Sequence, residues 1–253
     1  MCGRFVITSP PEALRRIFGY QEQPNFPPRF NISPTQPIAV VLAEHGRHLR
    51  LMRWGLWPAW VKDVRGFTLL INARSETVKE KPAFRNAIRR RRCLIPADGY
   101  YEWKSFDHGK RPYFIHRRDG RPIAFAGLFE TWVGPNGEEV DTAAIVTAPA
   151  SADLAVLHSR VPVAIEPDNF ELWLDCRAHD VDEVRPLMKG PQQGEFAWHE
   201  ISARVNHVAN DDPQLILPVT EQQREAEMPK TAGKPSPRKS AAASHDDGQG
   251  SLF

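Results

Sequence analysis

Short apolar runs separated by Gly, Pro and polar residues recur along much of the chain, the signal of short strands. The run Pro37-Ile38-Ala39-Val40-Val41-Leu42 reads as one strand. His48 to Trp54 reads as its neighbour, with Leu49, Leu51 and Arg53 on alternating faces. Further strand patterns lie at 93–96, 99–103, 112–116, 123–132, 142–148 and 161–165, with a last one at 195–201. Helical spacing is rarer. Ala13, Leu14, Ile17 and Phe18 recur on one helical face. Ser9-Pro10-Pro11-Glu12 before them looks like a capping box with proline in the first turn, and Gly19 is the stop. Pro82 opens a second helical stretch through Ile88, and 152–158 and 169–174 give two more. Many short strands with few helices predict an α+β domain on a curved, mostly antiparallel, barrel-like sheet.

The pattern stops after Val219. Between Arg224 and Gly250 there is no Leu, Ile, Val, Phe, Tyr or Trp. Such a segment cannot bury enough apolar surface to offset its ordering entropy. The expected organisation is one folded domain over 1–222 and a disordered tail over 223–253.

Composition narrows the function classes. The chain has 253 residues, 41% hydrophobic and 25% charged, ordinary values for a globular protein. No apolar run reaches membrane-spanning length, and no secretory signal opens the chain. A cytoplasmic protein is expected. The three cysteines, Cys2, Cys93 and Cys176, are too few and too far apart for a disulfide framework. No CxxC pair or HExxH motif offers a zinc site, and no metal or organic cofactor is expected. The net charge is only +2. Arg85, Arg89, Arg90, Arg91 and Arg92 nevertheless cluster. A solvated helix end is the first reading of that run and a phosphate-binding face the second.

The most informative residue is Cys2. A small side chain behind the initiator methionine permits removal of Met1. The mature chain would then begin with a 1,2-aminothiol, which reacts with aldehydes as no internal cysteine can. The α-amine attacks the aldehyde to give a Schiff base, and the thiol adds to the same carbon to close a five-membered ring. An α-amine has a pKa of about 7.7–8, so a useful fraction is neutral at pH 7.

Four stretches accompany this N-terminus: Met1-Cys2-Gly3-Arg4-Phe5, Ile71-Asn72-Ala73-Arg74-Ser75-Glu76-Thr77, Cys93-Leu94-Ile95-Pro96-Ala97-Asp98-Gly99-Tyr100-Tyr101-Glu102-Trp103, and Leu157-His158-Ser159-Arg160-Val161-Pro162. In this order and at these distances they closely resemble the SRAP family, the SOS response-associated peptidases, over roughly residues 2–219. Asn31 to Gln36 and Trp54-Gly55-Leu56 fit the same pattern. The resemblance implies a single β-rich domain with a positively charged cleft. It also implies covalent attachment to abasic sites in single-stranded DNA through the mature Cys2, with a thiazolidine as product and a place in the DNA-damage response. Cys2, Asn72, Glu102 and His158 become the expected catalytic residues. Glu102 is the first candidate for general acid and base, and His158 the second. Asn72 is suited to hold the Cys2 amine or the sugar hydroxyl. Arg4, Arg74 and Arg160 match positions that contact DNA, where a planar guanidinium suits phosphate. Trp54, Trp57 and Trp103 are candidates for stacking on unpaired bases.

The last five residues, Gln249-Gly250-Ser251-Leu252-Phe253, resemble the bacterial sliding-clamp-binding pentapeptide. Leu252 and Phe253 would fill an apolar pocket and Gln249 would bond at its rim. The expected partners are abasic single-stranded DNA and a clamp, with no membrane, for a monomer working at the nucleoid. Two other readings stay open: a thiol peptidase built on Cys2, His158 and Glu102 or Asn72, and a non-catalytic single-strand-binding module.

Overall fold

A computed structural model describes residues 2–107 and 109–227. The clamp-like motif, with Gln249, Leu252 and Phe253, lies outside the described residues. The chain opens with β1 (Phe5–Ile7), α1 (Pro11–Phe18), β2 (Arg29–Ile32), β3 (Pro37–Ala43), β4 (Arg47–Trp54) and β5 (Asn72–Arg74). It continues through α2 (Ala87–Arg90), β6 (Arg92–Ala97), β7 (Gly99–Phe106), β8 (Gly109–Arg117), β9 (Ile123–Val133) and β10 (Glu139–Pro149). The last part holds α3 (Ala152–Ala155), β11 (Arg160–Pro162), α4 (Phe170–Leu174), α5 (Val181–Val184), β12 (Phe196–Glu200) and α6 (Glu221–Glu227). Among the described residues no helix is long and apolar enough to cross a membrane.

The strands form two sheets. In the larger, β10, β4, β3, β6 and β9 follow one another, and β9 pairs back onto β10, so the ring closes into a barrel. The interior is filled by side chains such as Val40, Ile95, Phe125 and Ile145, all buried. The first half of β10 lies between β9 and β4. Its second half lies between β11 and β5, which pairs with it in parallel. The smaller sheet runs β12-β8-β7-β1-β2. One face, with Phe5, Tyr100 and Ile115, packs into the barrel core. The other, with Val6, Tyr101 and Phe114, is covered by Ile201, Val205 and Leu215.

The chain passes from barrel to smaller sheet between β6 and β7, at Asp98. The Asp98 carboxylate accepts the Ser9 N–H at 2.7 Å and also the Ser9 hydroxyl. Ser9 is therefore spent on this junction, and α1 begins at Pro11 with Pro10 at its N-cap and no side-chain cap, instead of with the expected capping box. One residue on, Gly99 pairs with Val6. A Cβ there would stand 2.4 Å from the Phe114 ring and 2.7 Å from the Ile115 carbonyl oxygen. Only glycine lets β7 lie this close to β8.

Three expectations change. The domain continues past residue 222 into α6, because Thr220 and Gln223 exchange capping hydrogen bonds of 3.0 and 3.3 Å and Arg224 pairs with Glu200. On β4 the inward residues are Leu49, Met52 and Trp54, while Leu51 is 62% exposed; alternation breaks between Leu49 and Met52. The arginine run is not a uniform solvated end. Arg92 is buried, and its guanidinium donates to the carbonyls of Ile88, Trp173, Asp175 and His179 at 2.6–3.1 Å. Arg91 pairs with Glu130.

Candidate active site at the N-terminal cysteine

The smaller sheet delivers Cys2 to the barrel rim. β1 is antiparallel to β7 with Phe5 opposite Tyr100, and the Arg4 carbonyl accepts the Tyr101 N–H at 2.9 Å. Continuing that register sets Gly3 opposite Glu102 and Cys2 beside it. Strand alternation turns Tyr100 and Glu102 toward the barrel and Tyr101 and Trp103 away from it. Cys2 is fully buried.

Asn72 arrives from β5, opposite Ile145 of β10. Its Nδ2 donates to the Cys2 carbonyl at 2.8 Å. Its Oδ1 is buried and has no hydrogen-bond partner among the described residues, an acceptor aimed into the site. His158 follows α3 on the loop into β11. Its Nδ1 lies 3.0 Å from the Arg160 backbone nitrogen and 3.3 Å from the Arg160 carbonyl oxygen.

Electrostatics tie these groups together. Glu102 is 4% exposed. Burial pushes its carboxyl up, and the chain's amino terminus and His158 pull it back only in part. Burial pushes the Cys2 thiol far above its ordinary range, and the Glu102 charge adds to the rise. Cys2 is thus held as a neutral thiol, its Sγ 3.9 Å from the Arg4 carbonyl oxygen. Cys2, Asn72, Glu102 and His158 converge on one place from four separate segments.

The expected DNA contacts divide. Arg74 is exposed at the end of β5 beside this site. Arg160 leads β11, its guanidinium taken up by Glu76 and the Thr147 carbonyl. Arg4 points to the far face of the smaller sheet, where its Nη1 donates to Asn31 Oδ1 at 2.6 Å and the Val205 carbonyl at 2.8 Å. Trp103 is half-buried on that face, 5.8 Å from the Arg4 guanidinium, with its Nε1 bonded to Asn206. Trp54 does not face solvent. It is 0% exposed, edge-on to Phe5, and its Nε1 donates to the Ile71 carbonyl at 3.1 Å. It is a core residue that anchors the segment leading into Asn72, and base stacking by it is corrected to packing. Trp57 is half-buried under the Arg53 guanidinium at 4.2 Å. Trp60, not singled out from the sequence, is 57% exposed. Glu76 was also not singled out; its only sequence signal is its place two residues beyond Arg74.

The chain is similar to several known proteins. The chain is 35% identical over 222 residues to the abasic site processing protein YoqW of Bacillus subtilis, covering 85% of this chain and 99% of that protein. It is 32% identical to the abasic site processing protein YedK of Escherichia coli, covering 87% of this chain and all of YedK. Among solved structures, a protein from Bacteroides thetaiotaomicron superposes with a TM-score of 0.78 at 23% identity, over 87% of this chain and all of that one. A phage-related protein from Bordetella bronchiseptica superposes with a TM-score of 0.64 at 31% identity, over 79% of this chain and 94% of that one. The family profile described as SOS response associated peptidase, SRAP, matches residues 1–208, and the chain belongs to that family.

Proposed function

We propose that this protein processes abasic sites in single-stranded DNA by forming a covalent thiazolidine through Cys2 once Met1 is removed. The reading rests chiefly on one observation: the residue that would carry the aminothiol is buried against Asn72 and Glu102, with His158 beside them. Relatives named as abasic site processing proteins support the choice of substrate.

An abasic deoxyribose exists in part as a ring-opened aldehyde. The Cys2 amine attacks that carbon and gives a carbinolamine. A proton delivered to its hydroxyl releases water and leaves the imine. The thiol then adds to the imine carbon while its proton passes to the nitrogen. Glu102, whose carboxyl burial pushes above the ordinary carboxylate range, is placed to serve both transfers. The imidazole of His158 supports the sugar oxygen during ring opening, and Asn72 fixes the Cys2 backbone and offers Oδ1 to the amine. Running these steps backwards would release the DNA. Arg74 and Arg160 hold phosphates, and Trp103, Trp57 and Trp60 offer faces to unpaired bases. A flexible strand can splay its sugar into a buried site as a duplex cannot.

Intact mass spectrometry tests this directly. After incubation with a single-stranded oligonucleotide carrying one abasic site, the expected species is protein without Met1, plus oligonucleotide, minus one water, stable to heat. Cys2→Ser should give no heat-stable adduct. Retention of Met1, or no adduct with the aldehyde present, would refute the reading. The peptidase alternative fits less well. A thiol peptidase needs a lowered thiol pKa, and here burial raises it.

A further inference from the structure

Arg160 is already occupied by an anion. Its Nη1 and Nη2 donate to the two carboxylate oxygens of Glu76, and Nη2 also donates to the Thr147 carbonyl at 2.6 Å. The Arg160 side chain is 13% exposed and that of Glu76 is 46% exposed. Glu76 therefore lies on the solvent side of the guanidinium. Its carboxyl is held at about 2, chiefly by the hydrogen bond from Arg160, so it is ionised at any working pH. Arg160 Nε is buried and has no partner among the described residues. Arg74, two residues before Glu76, is exposed and unpaired among the described residues.

A DNA phosphate approaching Arg160 from solvent meets the Glu76 carboxylate first. Either Glu76 swings aside, or phosphate and carboxylate share one guanidinium. Both carry a like-charge cost that an undamaged strand must meet from non-covalent contacts alone. An abasic strand offsets it through the covalent bond to Cys2. We infer that Glu76 is a specificity-determining residue, an internal anion that holds the place of a DNA phosphate on Arg160 and so weakens the grip on undamaged single strands. This rests on the proposed function, since it needs DNA to be the ligand. It also follows the logic that selectivity is a difference of affinities, obtained by penalising the wrong partner.

The test is binding of a fluorescent single-stranded oligonucleotide without an abasic site, by anisotropy across a salt series. Glu76→Gln keeps the shape and removes the charge. It should bind about tenfold tighter, the scale of one like-charge contact at a partly screened site. Its log affinity against log salt should steepen by about 0.7, one more phosphate neutralised on a single strand. Glu76→Ala must move in the same direction, which guards against an effect particular to glutamine. In an Arg160→Ala background the gain should vanish. Unchanged or weaker binding by both Glu76 variants would overturn the inference. So would a gain that survives loss of Arg160, since the charge would then act on the field as a whole. The adduct assay on the unaltered protein keeps the two readings apart: no Cys2 adduct refutes the proposed function, whereas an adduct without tightening in Glu76→Gln refutes only the role of Glu76.

Discussion

At the scale of single residues, the site is bought with stability. Glu102 is a carboxyl in the core, and burial raises its pKa in the folded state. A raised acid binds its proton more tightly when folded. Its contribution is therefore most favourable below the unfolded value of about 4.3 and is lost as pH rises through the folded value. Glu102→Gln removes this penalty. Its melting temperature at neutral pH should rise by a few degrees, and the decline of stability with pH over that window should flatten. The same variant should form the abasic adduct at least about a hundredfold more slowly, the usual worth of a positioned acid–base group. Melts between pH 4 and 8 with single-turnover adduct kinetics check both; a less stable Glu102→Gln protein would show that the carboxyl has a structural role instead. Asn72→Asp sets an acceptor against the Cys2 carbonyl that now receives the Asn72 amide. It should cost about 1–3 kcal/mol in denaturant unfolding and suppress the adduct.

At the scale of elements, one buried arginine joins several segments. Arg92 opens β6 and reaches the carbonyls of Ile88 just before, Trp173 in α4, and Asp175 and His179 beyond it. A lysine has one nitrogen and cannot span that set. Arg92→Lys should lower stability by about 2–3 kcal/mol, read as a shift in urea midpoint. From sequence Arg92 was one of five similar arginines; burial is a tertiary property that no local pattern carries. Strands that form continuous apolar runs, such as β3 and β9, were legible. β5 was not, because three residues held in parallel against β10 show no period of their own. Trp54 was misread because the pattern was phased on Leu49 and Leu51. Phasing on Met52 would have turned Trp54 inward. α6 was hidden because it has capping chemistry and helix formers but no apolar stripe. The four catalytic candidates were legible as a constellation of motifs, and their convergence needed the sheet register. The Glu76–Arg160 pair was not legible, since 84 residues separate its members.

At the scale of the whole molecule, the proposed function makes the chain's start part of its chemistry. Cys2 sits three residues before β1 and is fully buried, so a tag fused ahead of Met1 should abolish the adduct while leaving the melting temperature unchanged. The same adduct yield with and without the tag would show that a free α-amine is not needed. At the other end, the proposed clamp-binding motif is tested by removing Gln249 to Phe253, which should abolish binding to a purified bacterial sliding clamp in surface plasmon resonance; undiminished binding would dismiss the motif. The folded part between these ends behaves like a jig. Two of its rails, β7 and β8, can close only because Gly99 contributes no side chain where the Phe114 ring and the Ile115 carbonyl already stand. Glu102 lies three residues along the same rail, about 10 Å away. One added methyl at Gly99 would touch no reacting group, yet it would set the carboxyl of Glu102 out of true with the sulfur of Cys2. Tolerance in this molecule is therefore narrowest where nothing chemical happens.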